Sequence, residues 1–145
     1  MERTLVIIKP NGVRRGLVGD LLSRFERRGL KIAGLKMATM SRSKAAEHYA
    51  EHEGKSFYEE LVGFITSGPV VLTVIEGPKA ISIARSMAGP TDPSKASPGT
   101  IRGDYAISIT CNIVHASDSS KSAEREIGLF FQQEEIQRYD LRNES

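Results

Sequence analysis

PVVLTVI, residues 69–75, is a continuous run of β-branched and aliphatic side chains. A run of this kind, with no charged residue in it, predicts a well-buried strand. Working outward, RTLVIIK (3–9) and KIAGLKMA (31–38) read as two further strands. DYAISI (104–109) reads as a fourth, with Tyr105, Ile107 and Ile109 on one face and Ala106 and Ser108 on the other.

Helical spacing fills the intervals. Val18, Leu21, Leu22 and Phe25 recur along residues 17–28, which close on the basic pair Arg27-Arg28 and a C-terminal Gly29. A short helix is expected over 43–52. Ser56 and Glu59 make a capping-box pattern ahead of Phe57, Leu61, Phe64 and Ile65. Pro78 suits a first helical turn, followed by Ile81, Ala84 and Met87 on one side. A last helix over 120–130 turns Ala123, Ile127 and Phe130 inward.

The order is β-α-β, a helical pair, then β-α-β. That is a split βαβ pattern, which predicts an α+β, ferredoxin-like βαββαβ fold: a four-stranded antiparallel sheet with helices packed on one face. No repeat or linker divides residues 1–145, so one domain is expected. Residues 88–103 stand apart, with Pro90, Pro93, Pro98, Gly89, Gly99 and Gly103 and no periodicity. A long ordered loop of this kind is usually functional or an interface.

Composition narrows the class. Hydrophobic residues are 39% and charged residues 26%, a globular balance. With 20 Lys and Arg against 18 Asp and Glu, the net charge of +2 gives no argument for nucleic acid. The basic group Arg14, Arg15, Arg24, Arg27 and Arg28 reads mainly as a solvated helix face, with phosphate-backbone contact as the lesser alternative. Cys111 is the one cysteine and allows no internal disulfide, which fits a reducing compartment. The apolar run Leu5–Ile8 is too short for a signal core or a membrane span, so a cytoplasmic protein is expected.

No P-loop is present. Gly63 and Gly68 have the glycine spacing, but Pro69 stands where lysine is needed, and after Gly29 and Gly34 comes Leu35. His48 and His52, four apart, allow a metal pair but lack an evident third ligand. His115 lies in NIVHASDS (112–119), read as a strand-to-helix junction where backbone N–H groups can meet an anion. A neutral imidazole keeps a free lone pair near neutral pH and can attack phosphorus without a separate base. Ser117 and Glu126 are near enough in sequence to orient it. Lys9, Arg85 and Arg102 sit at element ends, and phosphoryl transfer relies mostly on cations placed around the equatorial oxygens. Taken locally, His115 is either such a nucleophile or a strand-end histidine satisfied by backbone.

The assembled motifs resemble the nucleoside diphosphate kinase family from Thr4 to about Phe131. The resemblance rests on IKPNGVRRGLVG (8–19), SGPVV (67–71), PGTIRGDYA (98–106), NIVHASDS (112–119) and SAEREIGLFF (122–131). It implies a ping-pong phosphotransferase, in which a nucleoside triphosphate phosphorylates His115 and a nucleoside diphosphate then takes the phosphate. Lys9 is implied at the transferred phosphate, with Tyr49 nearby. Arg85, Thr91 and Arg102 are implied at the β- and γ-phosphates, Phe57 on the base, and Asn112 at the sugar and terminal phosphate. Ser117 and Glu126 are implied to position His115. Mg2+ is implied as a cofactor bridging the phosphates rather than held in a protein cage, and stacking alone implies broad base specificity. A homo-oligomer is implied, a hexamer ahead of a tetramer, because 88–103 matches the family loop that joins subunits in hexamers.

Three departures from the family pattern stand out: Asn11 for the common aspartate, Thr110-Cys111 for Gly-Arg, and Ala116 for the glycine after the histidine. The last places a methyl beside the nucleophile. Thr110, Cys111 and Ala116 keep a rival open, a ferredoxin-like module that binds nucleotide without turnover. Cys111 itself reads as a small buried side chain.

Overall fold

The structure is a computed structural model and describes residues 1–142. In chain order it runs β1 (Glu2–Ile8), α1 (Pro10–Arg14), α2 (Val18–Arg27), β2 (Lys31–Thr39), α3 (Arg42–His48), α4 (Tyr58–Ile65) and β3 (Pro69–Gly77). It continues through α5 (Ala80–Ala88), α6 (Ile101–Tyr105), β4 (Val114–Ala116) and α7 (Ser120–Phe130). The strands form one antiparallel sheet in the order β2-β3-β1-β4, the topology expected of the split pattern.

The apolar runs of β1 and β3 lack alternation because both faces of the sheet are covered. Val6 and Ile8 face Leu21 and Phe25 of α2 and the small residues Ala80, Ala84 and Ala88 of α5. Leu5 and Ile7 face Ala45 of α3, Val62 and Ile65 of α4, and Phe130 of α7. Each fully buried aliphatic side chain contributes roughly 1.5–3 kcal/mol. The expectation of helices on one face is thus corrected: the α2–α5 layer is only half of the cover.

The segment 104–109 is not a strand. Thr100 Oγ1 accepts the N–H of Gly103 and starts α6, which already takes in Tyr105. Ile107 is 97% exposed and Ile109 56%, so the alternation there reports no buried face. The fourth strand is the three-residue β4, pairing Ile8 with Val114, Ile7 with His115 and Val6 with Ala116.

Smaller differences follow local chemistry. Ser56 does not cap α4, whose N-cap is Phe57 with no side-chain bond. Pro78 precedes α5, which Lys79 enters in the left-handed region (φ 55°). The 43–52 helix breaks at Tyr49: α3 ends at His48, and Ala50–His52 form a 3-10 turn. The 88–103 loop is ordered around a 3-10 turn at Pro93–Lys95, capped by the Asp92 side chain.

Candidate active site

The end of β1 delivers Lys9. Its backbone N–H donates to Ile113 O at 2.7 Å, so the two chain segments that carry the site are tied directly. Lys9 Nζ donates to Asn112 Oδ1 at 2.8 Å, and Asn112 Nδ2 donates in turn to the carbonyl of Thr91 at 3.1 Å. Burial pushes the Lys9 ammonium down to about 7, and the nearby Arg102 charge adds to the effect while Cys111 opposes it.

Between Asn112 and Val114 the chain makes a tight turn. Val114 N–H donates to Asn112 O at 2.9 Å, and Ile113 between them has φ 81°. A left-handed, β-branched residue that is also fully buried is a strained conformation, worth on the order of 1–3 kcal/mol, held by its surroundings. The turn aims Asn112 at Lys9 and starts β4.

His115 sits in the middle of β4, not at a strand-to-helix junction, and its ring lies on the α3–α7 side with Ile7. His115 Nε2 lies 2.8 Å from Glu126 Oε1 on α7. Ser117 Oγ donates to the same oxygen at 2.7 Å and accepts the N–H of Leu5 at 3.2 Å. Burial pushes Glu126 up, but the hydrogen bond and charge of His115, the Ser117 hydroxyl and Arg125 outweigh it and hold the carboxyl below its usual range. An ionised Glu126 accepts the Nε2–H of His115. That fixes the tautomer in which Nδ1 keeps its lone pair.

Two arginines flank β4 from the other side. Arg85 Nη1 donates to Ala116 O at 3.1 Å, and Arg102 Nη2 donates to Val114 O at 2.7 Å. Arg102 also donates to Gly89 O, and its Nε has no partner among the described residues. Burial, helped by Arg85, lowers Arg102 to about 10. A buried guanidinium with a spare N–H beside a second arginine is arranged for an anion. Tyr49, pushed up to about 12 by burial and by the Glu126 charge, stays a neutral phenol.

Phe57 is half exposed on the rim. It meets His52 (5.4 Å between ring centroids) and Lys55 Nζ (5.7 Å), at a distance from the His115 group. A row of rings connects them: His115 to His48 at 4.7 Å, His48 to Tyr49 at 4.7 Å, Tyr49 to His52 at 6.2 Å. Thr110 Oγ1 donates to Glu60 of α4 at 3.0 Å, fastening the 106–112 loop beside Phe57.

The departures now have places. Ala116 follows His115 in a strand, so its methyl points to the opposite face and is buried with Val6, Ala84 and Ala88 rather than beside the nucleophile. Cys111 is exposed, contrary to the buried reading, and its carbonyl accepts from Asn11 Nδ2 at 3.0 Å. Two residues of the site were missed. The sequence offers His48 only as a metal partner of His52, but α3 ends between them and the His48 ring meets that of His115. Ile113 gave no signal, since a positive φ is not written in a β-branched residue.

The basic group is largely engaged internally. Arg14 bonds Ser67, Arg15 bonds Tyr105 O, and Arg24 pairs with Asp20 and Asp104. No described helix is long and apolar enough to cross a membrane.

The nucleoside diphosphate kinase family model matches residues 2–136 of the chain. The chain belongs to the nucleoside diphosphate kinase family. It is 59% identical to the nucleoside diphosphate kinase of Sulfurisphaera tokodaii over 136 residues, covering 94% of this chain and 92% of that protein. It is likewise 59% identical over 141 residues to the one from Pelotomaculum thermopropionicum, covering 97% and 95%. Among solved structures, a halophilic nucleoside diphosphate kinase from Halobacterium salinarum in complex with CDP superposes with a TM-score of 0.95 at 48% identity. That match covers 97% of this chain and 93% of that one. Membership in a nucleoside diphosphate kinase family makes the chain a nucleotide-binding phosphotransferase.

Proposed function

We propose that the chain moves the γ-phosphate of a nucleoside triphosphate to a nucleoside diphosphate through a phosphohistidine on Nδ1 of His115. The observation that carries this is the Ser117–Glu126–His115 chain of hydrogen bonds at 2.7 and 2.8 Å, which commits Nε2 and leaves Nδ1 as the nucleophile. In the first half, Nδ1 forms a bond to the γ-phosphorus as the bond to the diphosphate oxygen breaks. The imidazolium charge that develops is met by Glu126. In the second half, a diphosphate oxygen takes the phosphoryl group and the Nδ1–P bond breaks. The same linkage is broken and remade, so one site serves both halves.

In this reading Lys9 and Asn112 serve the transferred group and Arg85 and Arg102 the β- and γ-phosphates, with Thr91 on the adjoining loop and Tyr49 as a neutral hydrogen-bonding phenol. Phe57 offers a face to any base, which supports broad base specificity. Lys9, Arg85 and Arg102 offer no oxygen ligands, so a Mg2+ ion would be held mainly by the nucleotide itself. The cluster is cationic, and Asp118 is an exposed carboxylate whose charge acts with Arg85 and His115. The ion would supply charge neutralisation on the phosphates.

The single-domain reading, a homo-oligomeric state and a cytoplasmic setting belong to the same proposal.

Incubation with γ-labelled ATP and Mg2+ tests it. Wild type is expected to give an acid-labile, base-stable phosphoprotein, and His115→Ala none. A chase with ADP, GDP, CDP or UDP is expected to discharge the label at rates within about tenfold of one another. Persistent label in the variant defeats the assignment of the nucleophile. A preference of many hundredfold for one base defeats recognition by stacking alone.

A further inference from the structure

His48 is a buried polar residue whose chemistry the phosphate transfer does not use. It is 4% exposed, and neither ring nitrogen has a hydrogen-bond partner among the described residues. Its ring stands edge-on to His115, 84° between planes, in a wall that includes Phe130 at 5.6 Å. Buried polar groups without partners are uncommon, and each calls for an explanation. Burial first, and the charges of His115, Arg125, Lys9 and His52 after it, hold His48 down to about 2, so it is a neutral imidazole with an available lone pair.

One ligand atom from each of His48, His115 and Glu126 can be chosen so that all lie within 4.8 Å of one another. Ligands on a tetrahedral zinc ion are about 3.4 Å apart, given bonds of about 2.0–2.1 Å. Closing the triangle therefore takes side-chain shifts on the order of 1 Å. Two imidazoles and a carboxylate, with a fourth position left open, are a usual zinc set, whereas Mg2+ prefers oxygen ligands. Glu126 already has the outer contact that orients such a ligand, the Ser117 hydroxyl at 2.7 Å, and Arg125 anchors the backbone of His48 through its carbonyl at 3.2 Å. The partly exposed ring of His115 gives an entry path.

We propose that His48, His115 and Glu126 form a binding site for a borderline-soft divalent cation, Zn2+ being the test ion, and that filling it stops phosphate transfer. Binding exchanges a proton for the metal. The Nε2–H of His115 leaves to solvent, its lone pair goes to the cation, and Glu126 changes from hydrogen-bond acceptor to ligand. His48 needs no deprotonation. Metal on Nε2 withdraws density from Nδ1 and takes away the Glu126 contact that offsets the developing imidazolium charge. The binding half does not depend on the reaction; the inhibitory half rests on His115 as the phosphate carrier.

Calorimetric titration of the full chain with ZnCl2, without nucleotide, separates the two. One tight site is expected, with proton release. His48→Gln is expected to weaken it at least tenfold, and Cys111→Ser to leave it unchanged. Co2+ is expected to give the intense visible bands of a tetrahedral site in wild type, which keeps the test decisive if His48→Gln fails to fold. Weak octahedral cobalt bands, or equal zinc affinity in folded His48→Gln, overturn the site. In the labelling assay, stoichiometric Zn2+ is expected to block phosphoprotein formation in wild type, and His48→Gln to keep its own metal-free rate. Tight zinc binding without inhibition overturns the inhibitory half. Absence of phosphohistidine in metal-free wild type defeats the proposed function while leaving the binding result standing.

Discussion

Lys9 shows how the site is charged at the scale of one residue. Its ammonium is buried against Asn112 and near Arg102, and its value of about 7 lies well below the ordinary 10.5. Between those values the unfolded chain holds a proton that the folded chain lacks, so stability rises with pH across that window. The penalty is in full force below about 7 and fades toward 10.5. Lys9→Met is therefore expected to raise the melting temperature at neutral pH by a few degrees, roughly 1 kcal/mol, while phosphoprotein formation falls at least a hundredfold. A fall in melting temperature shows instead that the Asn112 hydrogen bond outweighs burial. Nucleotide phosphates favour the charged form, so diphosphate binding is expected to take up about one proton at pH 8 and nearly none at pH 6. Calorimetry in buffers of differing ionisation enthalpy reads that number. That Ser117 and Glu126 would lie against His115 was legible in the sequence, and the structure brings the three together. The direction of Ala116 was not, because it depends on His115 lying inside a strand rather than after one.

At the scale of elements, β4 was the hardest to read. Three residues, Val114–Ala116, are too few to show a period, while the neighbouring exposed run at 104–109 mimicked one. By contrast β1 and β3 are long and buried, and their residues left little choice. The turn that leads into β4 carries the strain at Ile113, with φ 81° and no exposure. Ile113→Ala keeps the left-handed backbone and loses packing, and a loss of about 3 kcal/mol is expected. Ile113→Gly removes one more carbon but relieves the backbone, so it is expected to be less destabilising than alanine. Denaturant unfolding of both variants measures the difference. If glycine is the more damaging, as it is in ordinary buried positions, the turn is not strained and Asn112 is aimed by packing alone.

For the whole molecule, the sheet that positions the site also leaves one edge open. β2 is the outer strand next to β3. The chain that follows α7 touches it at two points: Gln137 N–H donates to Ala33 O at 2.7 Å, and Lys36 pairs with Glu135 at 3.0 Å. On either side of Lys36, Leu35 and Met37 are 52% and 59% exposed, two residues apart on one face. An exposed apolar edge strand invites pairing with another copy, and an antiparallel pairing of β2 with itself is self-complementary about a two-fold axis. A hexamer with three-fold and two-fold axes needs a second kind of contact, for which the ordered 88–103 loop is the candidate. Substituting both Leu35→Glu and Met37→Glu brings like charges together across the two-fold and leaves the loop contacts alone. The proposed hexamer is then expected to fall to trimers in sedimentation at unchanged protein concentration. Dimers in place of trimers would assign the β2 edge to the ring and the loop to the two-fold, and an unchanged mass would remove β2 from the assembly altogether.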